Sequence, residues 1–142
     1  MKSLPQTLLA LHCLVGSIGI LLFLGQGMYM MQAHNALQDM PDGPRMLFRS
    51  AHIYTLLLAC FHLAFASITA VWKPIFPLII IASGLSFLSF ISISYGFFNE
   101  SFEADLNRPI SKLGLFSMFA VALALSLNAI FVRLGFGQAL DQ

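Results

Sequence analysis

Four apolar stretches constrain this chain more than any other feature. They run over residues 7–31, 51–72, 75–98 and 113–134, and each is close to continuous. About 20 apolar residues at about 1.5 Å per residue span about 30 Å of hydrocarbon, so each stretch is long enough to cross a bilayer. A surface helix would show one apolar stripe and one polar face; these segments are apolar nearly all round. The first exceeds the roughly 7–15 apolar residues of a secretory signal and lacks a clean small-residue cleavage site, so it reads as a retained helix. The expected fold is all-α: one domain over residues 1–142, a membrane-spanning up-down-up-down four-helix bundle with both ends on one side.

Composition agrees. Of 142 residues, 58% are hydrophobic and only 9% charged, against the roughly 25% charge that covers a soluble surface. A net charge of +1 with no Lys/Arg run argues against a nucleic-acid partner. Cys13 and Cys60 both fall in apolar segments and form no CxxC pair, which is the pattern of packing residues. Between the spans, Asp42-Gly43-Pro44 has turn chemistry. Trp72-Lys73-Pro74 suits a tight hairpin with its indole at the membrane interface. Residues 99–109 form an acidic third loop that ends in Pro109 before the last helix.

Orientation rests on a nearly even distribution of cations. Lys2, Lys73 and Arg133 lie on the terminal side; Arg45, Arg49, Arg108 and Lys112 lie on the loop side. The loop-side cations stand among acids, which favours cytoplasmic termini.

At 100° per residue, His12, Gly16, Gly19, Phe23, Gln26, Gly27, Met30 and His34 share one face of the first helix. Glycine faces allow close helix approach in lipid, where no hydrophobic drive favours association, so His12 is expected to point inward. The serines of the third helix, Ser83, Ser86, Ser89, Ser92 and Ser94, are expected to bond their own backbone carbonyls.

Three constellations can carry chemistry, since ionisable groups inside a membrane are costly to keep. His12, His62 and Asn128 form a layer within the bilayer. It reads either as neutral histidines bonded to Asn128, serine or a carbonyl, or with His12 and His62 as a metal site or the axial ligands of a haem b between facing helices. Arg45, Arg49 and His52 line one face at the mouth of the second helix, opposite Glu100, Glu103, Asp105 and Arg108. Arginine–carboxylate pairs would clamp that helix to the third loop; the functional alternative is an anion or lipid-headgroup site, or a protonatable His–carboxylate relay. His34 with Met30 and Met31 offers imidazole and thioether donors of the kind that suit Cu(I). The chain has no HExxH, GxSxG, P-loop or dinucleotide signature.

Residues 44–54 (PRMLFRSAHIY) and 105–109 (DLNRP) resemble uncharacterised small four-helix inner-membrane proteins of marine-type Gram-negative bacteria, and the likeness spans essentially the whole chain. It implies a bacterial inner-membrane location and no particular activity. Leu11-His12 followed by a glycine face is similar to four-helix haem b membrane proteins of the copper-resistance and protoporphyrinogen-oxidase type; the motifs expected in their later helices are not evident. The expected role is a non-enzymatic accessory or interaction component that binds a lipid, a partner protein or itself. A haem b electron-transfer subunit and a small transporter or copper-handling protein are the alternatives.

Overall fold

The computed structural model describes residues 4–71, 76–100 and 107–134. Four helices carry the fold: α1 (Leu4–Ala33), α2 (Asp42–Val71), α3 (Phe76–Asn99) and α4 (Pro109–Arg133). All four are long and apolar enough to cross a membrane, and among the described residues there is no strand. The chain is a small multi-pass membrane protein built as an all-α four-helix bundle.

Helix ends depart from the apolar stretches in a regular way. α2 begins at Asp42, not near residue 51, so Asp42-Gly43-Pro44 forms its first turn. Pro44 costs nothing there because the first N–H groups of a helix have no intrahelical acceptor. α4 likewise begins at Pro109. Hydropathy marks where the hydrocarbon ends, whereas a helix runs on into the headgroup region. The hairpin at Trp72-Lys73-Pro74 lies outside the described residues, as do Glu103 and Asp105 of the third loop.

Between α1 and α2 the chain reverses through a single 3-10 turn, Asn35–Leu37. Asn35, Ala36 and Leu37 have φ of 46°, 53° and 64°. Left-handed backbone costs roughly 1–2 kcal/mol per residue for a side chain bearing Cβ. The buried side chain of Leu37, packed with Met30, Phe48, Ala51 and Phe97, offsets that cost.

Packing is tightest within the two hairpins, α1 on α2 and α3 on α4. Glycines set both seams. A Cβ on Gly19 would lie 2.7 Å from the Ala59 Cβ and 2.8 Å from the Phe90 ring, and one on Gly16 would lie 2.7 Å from Leu63. On the other seam, a Cβ on Gly114 would lie 2.7 Å from Ile93 and 3.1 Å from the Ser89 carbonyl oxygen. Each is a place where only glycine lets the two backbones approach this closely.

Apolar layers stack along the bundle. Met30, Leu37, Phe48, Ala51 and Phe97 close the loop side. Leu58, Phe90 and Ile93 fill the middle, and Phe65, Ile79, Ala82, Val121 and Ala124 fill the terminal side. The terminal layer draws residues from α2, α3 and α4, whereas the loop-side layer draws none from α4. The helices therefore part on the loop side, between α2 and α4.

Candidate functional site

The first candidate is the histidine layer. His12 and His62 are both fully buried. Their Nδ1 atoms are 2.7 Å apart, and the His12 Nε2 lies 2.8 Å from the Ser83 hydroxyl. One relay thus ties α1, α2 and α3 together. Antiparallel packing of α1 on α2 brings the two imidazoles to one level. Phe65 and Phe87 stack on the His12 ring at centroid distances of 4.1 and 4.7 Å, and Phe90 stands edge-on to His62 at 5.7 Å.

The hydrogen-bond inventory constrains the tautomers. In an Nδ1···Nδ1 contact one ring donates and the other accepts, so the two imidazoles cannot both be doubly protonated while it persists. If the Ser83 hydroxyl donates to His12, then His12 carries its proton on Nδ1 and donates to His62. That assignment leaves the proton of His62 on Nε2, with the Ser86 backbone as its neighbour, outside strict hydrogen-bond geometry.

With metal–nitrogen bonds of about 2 Å, one ion holds two imidazole nitrogens about 4 Å apart when they are trans and about 3.3 Å apart when it is tetrahedral. The observed 2.7 Å is a hydrogen bond, and phenyl rings cover the His12 face, so a haem plane between the pair requires the helices to separate. Asn128, assigned to the same layer from sequence, is buried on α4.

Serine behaviour on α3 is mixed. Ser86 donates to the Ser83 carbonyl, as expected of a helix serine, at 2.8 Å. Ser89 instead reaches across to the Gly114 carbonyl of α4 at 2.7 Å, and Ser83 engages His12. The missing side chain of Gly114 is what exposes its carbonyl to Ser89.

The second candidate lies at the loop side, where the structure distributes the residues differently from the clamp read in the sequence. Arg45 folds back on its own helix start: it pairs with Asp42 at 3.5 Å and donates to the Met40 carbonyl at 2.6 Å. Arg49 is exposed. His52 stacks on Phe23 at 4.0 Å with the planes 13° apart. Among the described residues none of the three meets Glu100. The partner of Glu100 is Arg108, at 3.7 Å, with both side chains 6% exposed. Burial draws the Arg108 guanidinium below its ordinary value, and the Glu100 carboxylate opposes that shift.

Glu100 also accepts from the backbone N–H groups of Ile110 and Ser111 at 2.6 and 3.0 Å and from the Ser111 hydroxyl at 2.5 Å. It thereby caps the first turn of α4 and fastens it to the end of α3. Arg108 donates to the Gly96 carbonyl at 3.2 Å. A Cβ on Gly96 would press on the Ser111 hydroxyl at 2.5 Å, so the clamp needs that glycine.

This clamp draws the start of α4 onto α3 and away from α2, and the parting leaves a groove of about 300 Å³. Its walls are Leu47, Ser50, Ala51 and Tyr54 of α2, Ile93 of α3 and Leu115 of α4, with Arg108, Ser111 and Lys112 lining it at the start of α4. Lys112 is exposed and makes no ion pair with a described residue. Sequence reasoning missed the groove, because hydropathy cannot reveal which helix pair parts.

The third set, His34 with Met30 and Met31, does not share one face. Met30 is 9% exposed and Met31 67% exposed, so consecutive side chains point into the bundle and out to lipid. Among the described residues no three histidine, cysteine, aspartate or glutamate side chains come close enough to hold a metal ion. No protein-family model matches the chain, and neither a curated protein nor a solved structure does.

Proposed function

We propose that this is a non-enzymatic bacterial inner-membrane protein that binds an anionic lipid in the groove between α2 and α4. The observation that carries the reading is the composition of that groove: a mostly apolar slot between α2 and α4 whose lining at the start of α4 includes the Ser111 hydroxyl and Lys112, a lysine in no ion pair with a described residue. Its volume of about 300 Å³ lies at the small end of ligand pockets, which run from about 300 to 1,000 Å³. That size suits part of one acyl chain. Glu100 pairs with Arg108, so among the described residues that line the groove Lys112 is the cation without an acidic partner, the complement of one phosphodiester. A cation near a membrane surface attracts an anionic headgroup by about 1 kcal/mol.

The buried histidine relay, in this reading, joins three helices and does no chemistry. Termini on the cytoplasmic side are part of the same proposal, supported by the pairing of two loop-side arginines with Asp42 and Glu100.

Native mass spectrometry of the detergent-solubilised protein, titrated with lipid, tests the proposal. Phosphatidylglycerol is expected to bind about fivefold tighter than phosphatidylcholine, the ratio that about 1 kcal/mol implies. Lys112→Gln should erase the preference, and Ser50→Trp should fill the slot and weaken both lipids. Equal binding of the two lipids, untouched by either variant, overturns the reading.

A further inference from the structure

Polar side chains buried in a membrane protein are normally satisfied, and among the described residues Gln26 is the side chain on the loop side with both of its polar atoms unmet. It is fully buried in α1, and neither its carboxamide oxygen nor its nitrogen has a hydrogen-bond partner among the described residues. Exchanging the two amide atoms changes nothing, because both are unmet. The Nδ1 of His52 on α2 is buried and unmet as well.

The two groups belong to one level. His52 stacks on Phe23, and a Cβ on Gly27 would lie 3.4 Å from the His52 Cε1. The imidazole therefore spans the turn of α1 from residue 23 to 27, and Gln26 lies within that turn. Thr55, one turn further along α2, is also fully buried; its hydroxyl donates to the Ala51 carbonyl and keeps lone pairs to accept with. An amide in an apolar interior is costly to leave unpaired, so buried amides are normally hydrogen-bonded.

We propose that the loop-side half of the α1–α2 seam is a water-binding site, with ordered water held by Gln26 and His52. Water fits this set because it both donates and accepts, and the carboxamide offers N–H donors beside a carbonyl acceptor. The site ends where Gly19 meets Ala59 and Phe90, a contact with no room even for a Cβ. Water thus reaches Gln26 from the loop side and stops before the His12–His62 pair, about 21 Å further along α1. The protein has a wet half and a dry half.

Thiol labelling tests this in membrane vesicles. Methanethiosulfonates react with thiolate, which forms where water reaches a cysteine. In a background with Cys13→Ser and Cys60→Ser, Gln26→Cys should react with a small water-soluble methanethiosulfonate at least tenfold faster than Leu58→Cys, a position only 1% exposed. Thr55→Cys, a smaller change, provides the same reading should Gln26→Cys fold poorly. Labelling at residues 26 and 55 as slow as at residue 58 overturns the proposal.

Discussion

His12 illustrates how far a single residue can be read. Its inward direction follows from the glycines that share its face, since small residues show where a neighbouring helix approaches. Its partners do not follow, because a period of 3.6 fixes the face of a side chain but not the depth at which an opposing helix meets it. The Ser83 contact was equally hidden: a serine in an apolar helix bonds its own backbone by default, and only the packing of α1 against α3 redirects this one.

The relay has a measurable signature. His12→Leu leaves His62 Nδ1 and the Ser83 hydroxyl without partners, at about 1–3 kcal/mol for each group that stays unmet. Chemical unfolding in mixed micelles should therefore show His12→Leu to be more destabilising than the double variant His12→Leu/His62→Leu. A double variant that loses the sum of the two single losses contradicts a coupled pair.

Two glycines on α1 give a sharper contrast. Gly19→Ala must push the helix off Ala59 and Phe90 and should cost about 1–3 kcal/mol. Gly25 has nothing within 4 Å of an added Cβ, so Gly25→Ala should stabilise by about 0.5–1 kcal/mol through helix propensity alone. The same unfolding measurement separates the two.

At the scale of the elements, the spans were legible because hydrocarbon thickness imposes a length on any apolar segment that crosses it. Their ends were not, because the helix continues once polar residues such as Asp42 and Arg45 can reach water. The identity of the loop-side clamp was also concealed. Four cations and several acids stand near each other in the sequence, and Coulomb attraction does not choose among them; burial does. Arg108 and Glu100 are the pair that the packing of α3 on α4 encloses.

Glu100→Ala strands a buried guanidinium and removes three acceptor contacts from the first turn of α4. The expected loss is about 3–5 kcal/mol, with proteolysis between α3 and α4 accelerated. In the other connection, Ala36 holds φ of 53°, where glycine is at ease. Ala36→Gly should leave stability unchanged or raise it by up to about 1 kcal/mol, which thermal unfolding can read.

For the molecule as a whole, the polar groups divide by level rather than forming one path. The histidine relay on the terminal side is closed by aromatic rings, the Leu58–Phe90–Ile93 layer lies between, and Gln26 and His52 occupy the loop side. A closed relay should leave protein purified from haem-replete cells colourless, with no Soret absorbance to lose in His62→Ala. The groove between α2 and α4 follows from the same packing: Gly114 and Glu100 fix α4 to α3 on the loop side, while Val121 and Ala124 meet Phe65 on the terminal side.

A lipid held in that groove can be located by photo-crosslinking. The protein is reconstituted with a phosphatidylglycerol bearing a diazirine in one acyl chain, irradiated and mapped by proteolysis and mass spectrometry. Adducts are expected in residues 47–54 and 108–115, and Lys112→Gln should reduce them about fivefold. Adducts spread evenly over the lipid-facing surfaces of all four helices, or concentrated on α1, would contradict the claim.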